Sequence, residues 1–316
     1  MIRKFFFAAC FALFSCLCSA QTSSIGLHMG SDTAIQQYID FSNWLGKPVM
    51  YRVTFDNGPT WTDIANPGFL SATKQWLASN PNRHEVITVP LIPVPLNANL
   101  LSAVAAGTYD SYFKQLAANI ASKTGAPQRV IIRLGWESNG KWYPWSAVGR
   151  PALYRYAYRH VVHVMRSQCN VLRFEWNVAW ASSYPFDYTS AYPGDDVVDV
   201  IGMDVYDQYN TYGFWNVLNI YEGLTFLRNF AHQHGKSEAY SEWGLSTQPL
   251  PVGNGDDTYY VQGMYNWIKA GGSNVLYADY WNTPAGGPNG VIYSDSSTYA
   301  VTVPKSAALY KKLFSQ

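Results

Sequence analysis

Short apolar runs recur along the chain. Each gives way to a polar or glycine-containing segment and then to a stretch with apolar residues three and four apart. Runs at 24–28, 49–54, 85–93, 129–134, 171–178, 197–205, 237–241 and 274–280 are short and almost continuously apolar. That pattern predicts parallel strands buried on both faces. The stretches between them carry helical spacing, at 35–45, 66–79, 109–123, 152–166, 221–234, 259–270 and 306–313. Thr108 and Gly125 bracket one of these as start and stop signals, and Pro151 opens another at a first-turn position. No low-complexity linker or short internal repeat interrupts the alternation. Eight strands with intervening helices over about 300 residues predict an α/β fold, a single-domain (β/α)₈ TIM barrel. The alternative, an open doubly wound sheet, lacks its phosphate-binding signature: the first strand runs into GLHMG at 26–30, which is not GxGxxG.

The N-terminus is expected to be outside this domain. Arg3 and Lys4 precede an apolar run at 5–17, and Cys18-Ser19-Ala20 offers small residues for cleavage. Residues 1–20 therefore read as an export signal and 21–316 as the catalytic domain, secreted or periplasmic. The run is short for a membrane span. A lipoprotein signal ending at Cys16 is the rival reading, and the bulky Phe14 fits it poorly. Of four cysteines only Cys169 lies beyond the signal, so no disulfide can form within the remainder, and Cys169 is expected to be a buried structural thiol.

Charge changes the picture little: the net value is +1, with no basic patch of the kind nucleic-acid binders show. No membrane insertion and no stable oligomer are expected. Aromatic content is the distinctive feature, with 12 Trp, 24 Tyr and 15 Phe beside only 14% charged residues. Rings that bury apolar area and carry a polar edge suit the C–H faces of sugars.

Barrel chemistry sits where strands end, and three segments place acids or aromatics there. In VIIRLGWESNGKWYPW at 130–145, Glu137 follows an apolar strand among Trp136, Trp142, Tyr143 and Trp145. Such rings would desolvate the carboxyl and raise its pKa, as a general acid requires. Arg133 shares its face if the strand continues. In EAYSEWG at 238–244, Glu242 ends the seventh strand; Glu238, of the same parity but at the other end, reads as a structural ion-pair partner. In the sixth strand Asp204 and Tyr206 share parity, and a tyrosine hydroxyl there could bond a neighbouring carboxylate. Trp281 ends the eighth strand and could stack on a sugar. His28, on the first strand, is either a substrate ligand or a buried hydrogen-bonded histidine. Glu175 is a weaker rival acid. The histidines show no metal-ligand spacing, and neither metal nor cofactor is called for.

These segments resemble glycoside hydrolase family 26, in the large clan of retaining (β/α)₈ hydrolases. The resemblance runs over 105–281. It rests on AGTYDSY at 106–112, on Arg133, Glu137, Asn139-Gly140 and WYPW at 142–145, on YPGDDVVD at 192–199 with Asp204 and Tyr206, and on SEWG at 241–244. It implies Glu137 as acid/base and Glu242 as nucleophile, 105 positions apart on strands four and seven. It also implies substrate contacts from Arg133, Trp136, Trp142, Asp204, Tyr206, Trp281 and His28. One position departs from the pattern: Trp136 stands where the family usually has histidine, and an indole has one donor and no acceptor. The expected substrate is thus a β-linked polysaccharide: β-mannan, a β-glucan or xylan, or a bacterial exopolysaccharide. Loops at 90–105 and 282–290 would decide endo against exo action. The competing class is a barrel that binds glycan with little or no turnover.

Overall fold

The computed structural model describes residues 24–94, 97–180, 186–209, 213–285, 287–295 and 299–316. The expected signal at 1–20 lies outside them. Eight parallel strands close into one barrel in sequence order. They are β1 (Ser24–His28), β2 (Tyr51–Phe55), β3 (His84–Val89), β4 (Val130–Leu134), β5 (Arg173–Ala179), β6 (Val200–Asp207), β7 (Ser237–Leu245) and β8 (Val275–Trp281). The described helices are α1 (Ile35–Leu45), α2 (Trp61–Ala65), α3 (Leu70–Ala78), α4 (Leu101–Ala105), α5 (Asp110–Lys123), α6 (Pro151–Arg166), α7 (Phe214–Asn219), α8 (Leu224–Gln233), α9 (Thr258–Gly271) and α10 (Pro304–Phe314). The fold is the (β/α)₈ barrel that the alternation predicts. Two strand boundaries differ most from those expected. Strand β3 stops at Val89, before Pro90, which cannot donate to a ladder. Strand β7 runs four residues further than expected, so Glu242 lies within the strand.

Two apolar regions hold the barrel. The larger surrounds it, where strand side chains pointing outward meet the helices: Leu27, Ile87, Ile132, Leu134, Trp176, Met203 and Trp243 are all at most 3% exposed in this shell or at its edge. The smaller fills the lower barrel interior with Tyr51, Val53, Val86, Ile131, Val200, Ala239 and Tyr277. Above that plug the interior turns polar. Arg133, Glu175, Ser241 and Asp279 are all fully buried there. The lower barrel is an apolar base and its upper half a charged layer, which leaves the carboxyl ends of the strands for the chemistry.

Strand β7 carries an irregularity that matters. From Ala239 to Glu242 it uses three residues opposite two of β6, Gly202 to Asp204. From Tyr240 to Trp243 it again uses three opposite two of β8. This bulge turns two consecutive side chains, Ser241 and Glu242, into the barrel. It also reverses the parity expected for Glu238, which points outward to Arg228 of α8 at 2.8 Å. The ion pair expected of Glu238 is present, on the opposite face.

Among the described residues no helix is long and apolar enough to cross a membrane. Cys169 is a free, buried thiol, and burial pushes its pKa up.

Candidate active site

The nucleophile candidate is held by charge. Glu242 Oε1 accepts from Arg133 Nη1 at 2.6 Å, and Oε2 accepts from the Tyr206 hydroxyl at 2.5 Å. Arg133 is fully buried on β4 and reaches three carboxylates: Glu242, Asp204 through a short Nη2 contact, and Glu175 at 3.8 Å from Nε. Burial alone would lower the guanidinium pKa, but Asp204, Glu242 and Glu175 outweigh it and hold it above its ordinary value. Planar donors in a fixed fork suit this task better than an ammonium.

The acid candidate is held by its backbone. Strand β4 ends at Leu134, so Glu137 does not reach the site by strand parity with Arg133. The chain instead turns through Gly135 (φ 52°) and Glu137 itself (φ 49°). At Gly135 a Cβ would also lie 2.7 Å from Leu91, so the turn and the packing both demand glycine. A left-handed glutamate is costly and persists only where surrounding contacts over-determine it. Those contacts are present. The Glu137 amide donates to Asn177 Oδ1 at 3.0 Å, and Asn139 pairs its side-chain amide with both backbone groups of Ala179, at 2.7 and 2.8 Å. Trp145 Nε1 donates to the Trp136 carbonyl at 2.7 Å, and the Tyr154 hydroxyl to the Gly135 carbonyl at 2.9 Å.

The carboxyl of Glu137 sits among rings and acids. Burial first, then the neighbouring Glu242, push its pKa up to about 7; Arg133 and the Trp142 N–H act against this. Trp142 Nε1 donates to Glu137 Oε2 at 2.6 Å. The Trp142 ring is 49% exposed and lies over Gly140, where an added Cβ would come within 2.3 Å of it. Glycine at 140 thus makes the seat for this ring.

The remaining predicted residues divide into surface and support. Trp281 is half-buried at the mouth, stacked on His28 at 4.3 Å and edge-on to Phe55, with its N–H on the Ala285 carbonyl at 2.9 Å. His28 bonds the Val53 carbonyl through Nδ1 at 3.0 Å, and burial lowers its pKa, so the ring is a neutral backing for Trp281. Arg133 and Asp204 were expected among the substrate contacts; the structure places both behind the surface. Asp204 is 1% exposed and accepts from Arg133 and, at 2.9 Å, from Asn177 Nδ2. Burial raises its carboxyl pKa against the pull of Arg133. Trp136 is 3% exposed, wedged against Phe55, Tyr143 and Trp145. It forms wall, and its indole is not presented as an open hydrogen-bonding group. Tyr206 touches Glu242 directly.

Glu175, the rival acid, lies fully buried below the mouth, where Ser241 and Tyr277 donate to it. Gly202 makes its room, since a Cβ there would come within 2.3 Å of Glu175 Oε1. Two residues escaped the sequence reading. Asn177 lies two positions after Glu175, on the same interior face of β5, a parity that was available as a signal. Asp279 is a fully buried interior carboxyl of β8 with neither oxygen hydrogen-bonded in the described structure, and burial holds it well above the usual carboxylate range. Among the described residues no cluster of three or more His, Cys, Asp or Glu is arranged to hold a metal.

The closed (β/α)₈ barrel thus carries two carboxyls in contrasting surroundings at its mouth, beside Trp142 and Trp281. The sequence profile described as Glycosyl hydrolase family 26 matches residues 96–242, which contain both glutamates. Over that segment the chain is similar to glycoside hydrolase family 26. A mannan endo-1,4-beta-mannosidase of Bifidobacterium adolescentis is 29% identical over 178 residues, 52% of this chain and 18% of that protein. A protein of the same description from Bacillus subtilis strain 168 is 25% identical over 226 residues, 69% of this chain and 54% of its own length. The chain thus spans at most about half of these curated relatives. The structure of a GH26 beta-mannanase from Bacteroides ovatus superposes with a TM-score of 0.64 at 18% identity, covering 93% of this chain and 88% of that one, a likeness of fold.

Proposed function

We propose that this protein hydrolyses a β-linked polysaccharide internally and with retention of anomeric configuration, using Glu137 as acid/base and Glu242 as nucleophile. The observation that carries the reading is the contrast between the two carboxyls. Glu242 is met by Arg133 and Tyr206 at 2.6 and 2.5 Å, while Glu137 is desolvated and pushed up to about 7. A carboxylate gripped by a cation and a hydroxyl beside a desolvated acid is the pairing double displacement requires. In the first step Glu137 gives its proton to the glycosidic oxygen as Glu242 Oε attacks the anomeric carbon and the C–O bond breaks. In the second, Glu137 takes a proton from water, which displaces Glu242 from the same carbon. Trp281 floors the cleavage point and Trp142 lines the leaving-group side.

The substrate we propose is a neutral β-linked polymer. Mannan stands first, because the two curated relatives named above are described as mannan endo-1,4-beta-mannosidases. β-Glucan, xylan and a bacterial exopolysaccharide stay in the comparison because Trp136 walls off the position where the family's histidine would meet the sugar. The protein acts as a monomer after export and removal of residues 1–20. N-terminal sequencing of the mature protein should begin at Gln21.

The test is a polysaccharide panel. Wild type should release reducing ends from at least one polymer, with internal cuts shown by a rapid fall in viscosity, and Glu242→Ala should release none. NMR of the first-formed sugar should show the β-anomer. Binding without release on every polymer would replace this reading with that of a glycan-binding barrel. An α-anomer would overturn retention.

A further inference from the structure

We infer that Asn177 is a positioning residue that joins the two halves of the site, fixing the acid through the same amide that meets the nucleophile's arginine. This deepens the proposed function and rests on it for the roles of the two glutamates.

The amide of Asn177 is fully buried on β5, between β4 and β6. Its oxygen accepts twice, from the Glu137 backbone N–H at 3.0 Å and from Arg133 Nη2 at 3.1 Å. Its nitrogen donates to Asp204 Oδ1 at 2.9 Å. Arg133 in turn binds Glu242 at 2.6 Å, so one side chain connects the backbone of one glutamate to the carboxylate of the other.

The chemistry of these contacts selects asparagine. Two donors converge on one atom and a carboxylate faces the other, so the side chain must accept on one side and donate on the other, which only a carboxamide does here. An aspartate would serve both donors but would set a second carboxylate against Asp204. An alanine would leave the Glu137 N–H and one Arg133 donor unanswered in a buried layer. The Glu137 N–H matters because that residue sits at φ 49°, a conformation that relaxes when its restraints are removed. Relaxation would carry the carboxyl away from the glycosidic oxygen, and displacement of about an ångström is enough for a loss of roughly a hundredfold.

The test uses two variants of the full mature chain. Asn177→Ala should lose about 10- to 100-fold in kcat with KM within about threefold. Asn177→Asp should keep more of kcat than the alanine variant, because its oxygens still receive both donors. The added negative charge should move the basic limb of its pH profile upward by roughly a unit. A merely structural role would lower thermal stability in both variants and leave that limb where it is. Wild-type kcat in a folded Asn177→Ala, or an unmoved limb in Asn177→Asp, overturns the inference. If the alanine variant fails to fold, the limb of Asn177→Asp decides alone. If wild type hydrolyses nothing, it is the proposed function that fails. The inference is then read from an NMR titration of Glu137: a higher pKa in Asn177→Asp than in wild type supports it, and equal values overturn it.

Discussion

The ends of β4 and β7 place their glutamates by opposite means. On β7 the strand itself delivers Glu242: a bulge turns Ser241 and Glu242 inward together, and Arg133 and Tyr206 close on the carboxylate. On β4 the strand has ended three residues before Glu137, which is set by a left-handed turn pinned to β5 through Asn177 and Asn139. One carboxylate is fixed by charge and the other by backbone. The difference suits the proposed roles. A nucleophile needs a full negative charge in one place, which ion pairing supplies. An acid/base must change charge twice per turnover, and a guanidinium bonded directly to it would oppose protonation.

The largest effects should come from removing each carboxyl in turn. Glu242→Ala should abolish turnover on both a polysaccharide and an aryl glycoside with a good leaving group. Glu137→Ala should cost about 10²- to 10⁴-fold on the polysaccharide and far less in bond cleavage on the aryl glycoside, which needs no proton. Equal losses on the two substrates in steady-state and pre-steady-state assays would break the distinction.

Arg133→Met should be next. It leaves Asp204, Glu175 and Glu242 buried together without their shared cation. Breaking such a network by removing one partner costs about 3–5 kcal/mol, readable as a lower denaturant midpoint. Stability close to wild type would mean that these acids share protons instead of relying on the guanidinium.

A smaller effect should appear in the pH profile. Glu137 must be protonated to act as acid, so kcat/KM should fall as pH rises through about 7. The Trp142 N–H opposes protonation of Glu137. Trp142→Phe should therefore move that limb upward, with less than a tenfold change in kcat. A downward movement would show that the indole's main action is something other than this bond.

A last effect concerns Asp56, a buried carboxyl just past the end of β2. Burial, with Asp32 and Asp63 nearby, pushes Asp56 up to about 8, and its Oδ2 makes no hydrogen bond in the described structure. A folded-state pKa above the unfolded value stabilises fully below about pH 4, and that contribution is lost as pH rises through about 8. Asp56→Asn should therefore raise Tm at pH 8.5 relative to wild type and change it little at pH 5. An equal shift at both pH values would show that charge at Asp56 is not the cause.

Much of this architecture could be read from the residues. All eight strands lie where the apolar runs predict, because a strand buried on both faces leaves an unbroken apolar signature. Glu137, Glu242, Tyr206, Trp142 and Trp281 meet at one end of the barrel because their sequence positions at strand ends already imply it. What failed was inference by alternation. Parity placed Glu238 with Glu242 and Arg133 with Glu137, and both pairings assumed uninterrupted strands. A bulge in β7 and a turn after Leu134 break the period of two, and neither has a local signature apart from Gly135.

The sequence by itself determined the barrel, the pair of acids and the aromatic mouth, since these follow from periodicity and residue type. Only the tertiary structure decided what each side chain touches. It placed Arg133 and Asp204, expected among the substrate contacts, as buried supports, made Trp136 a wall, and brought Asn177 forward as the link between the acids. The assignments of Arg133, Asp204 and Asn177 depend on contacts between residues 27 to 109 positions apart, set by strand register and burial, which no local pattern records.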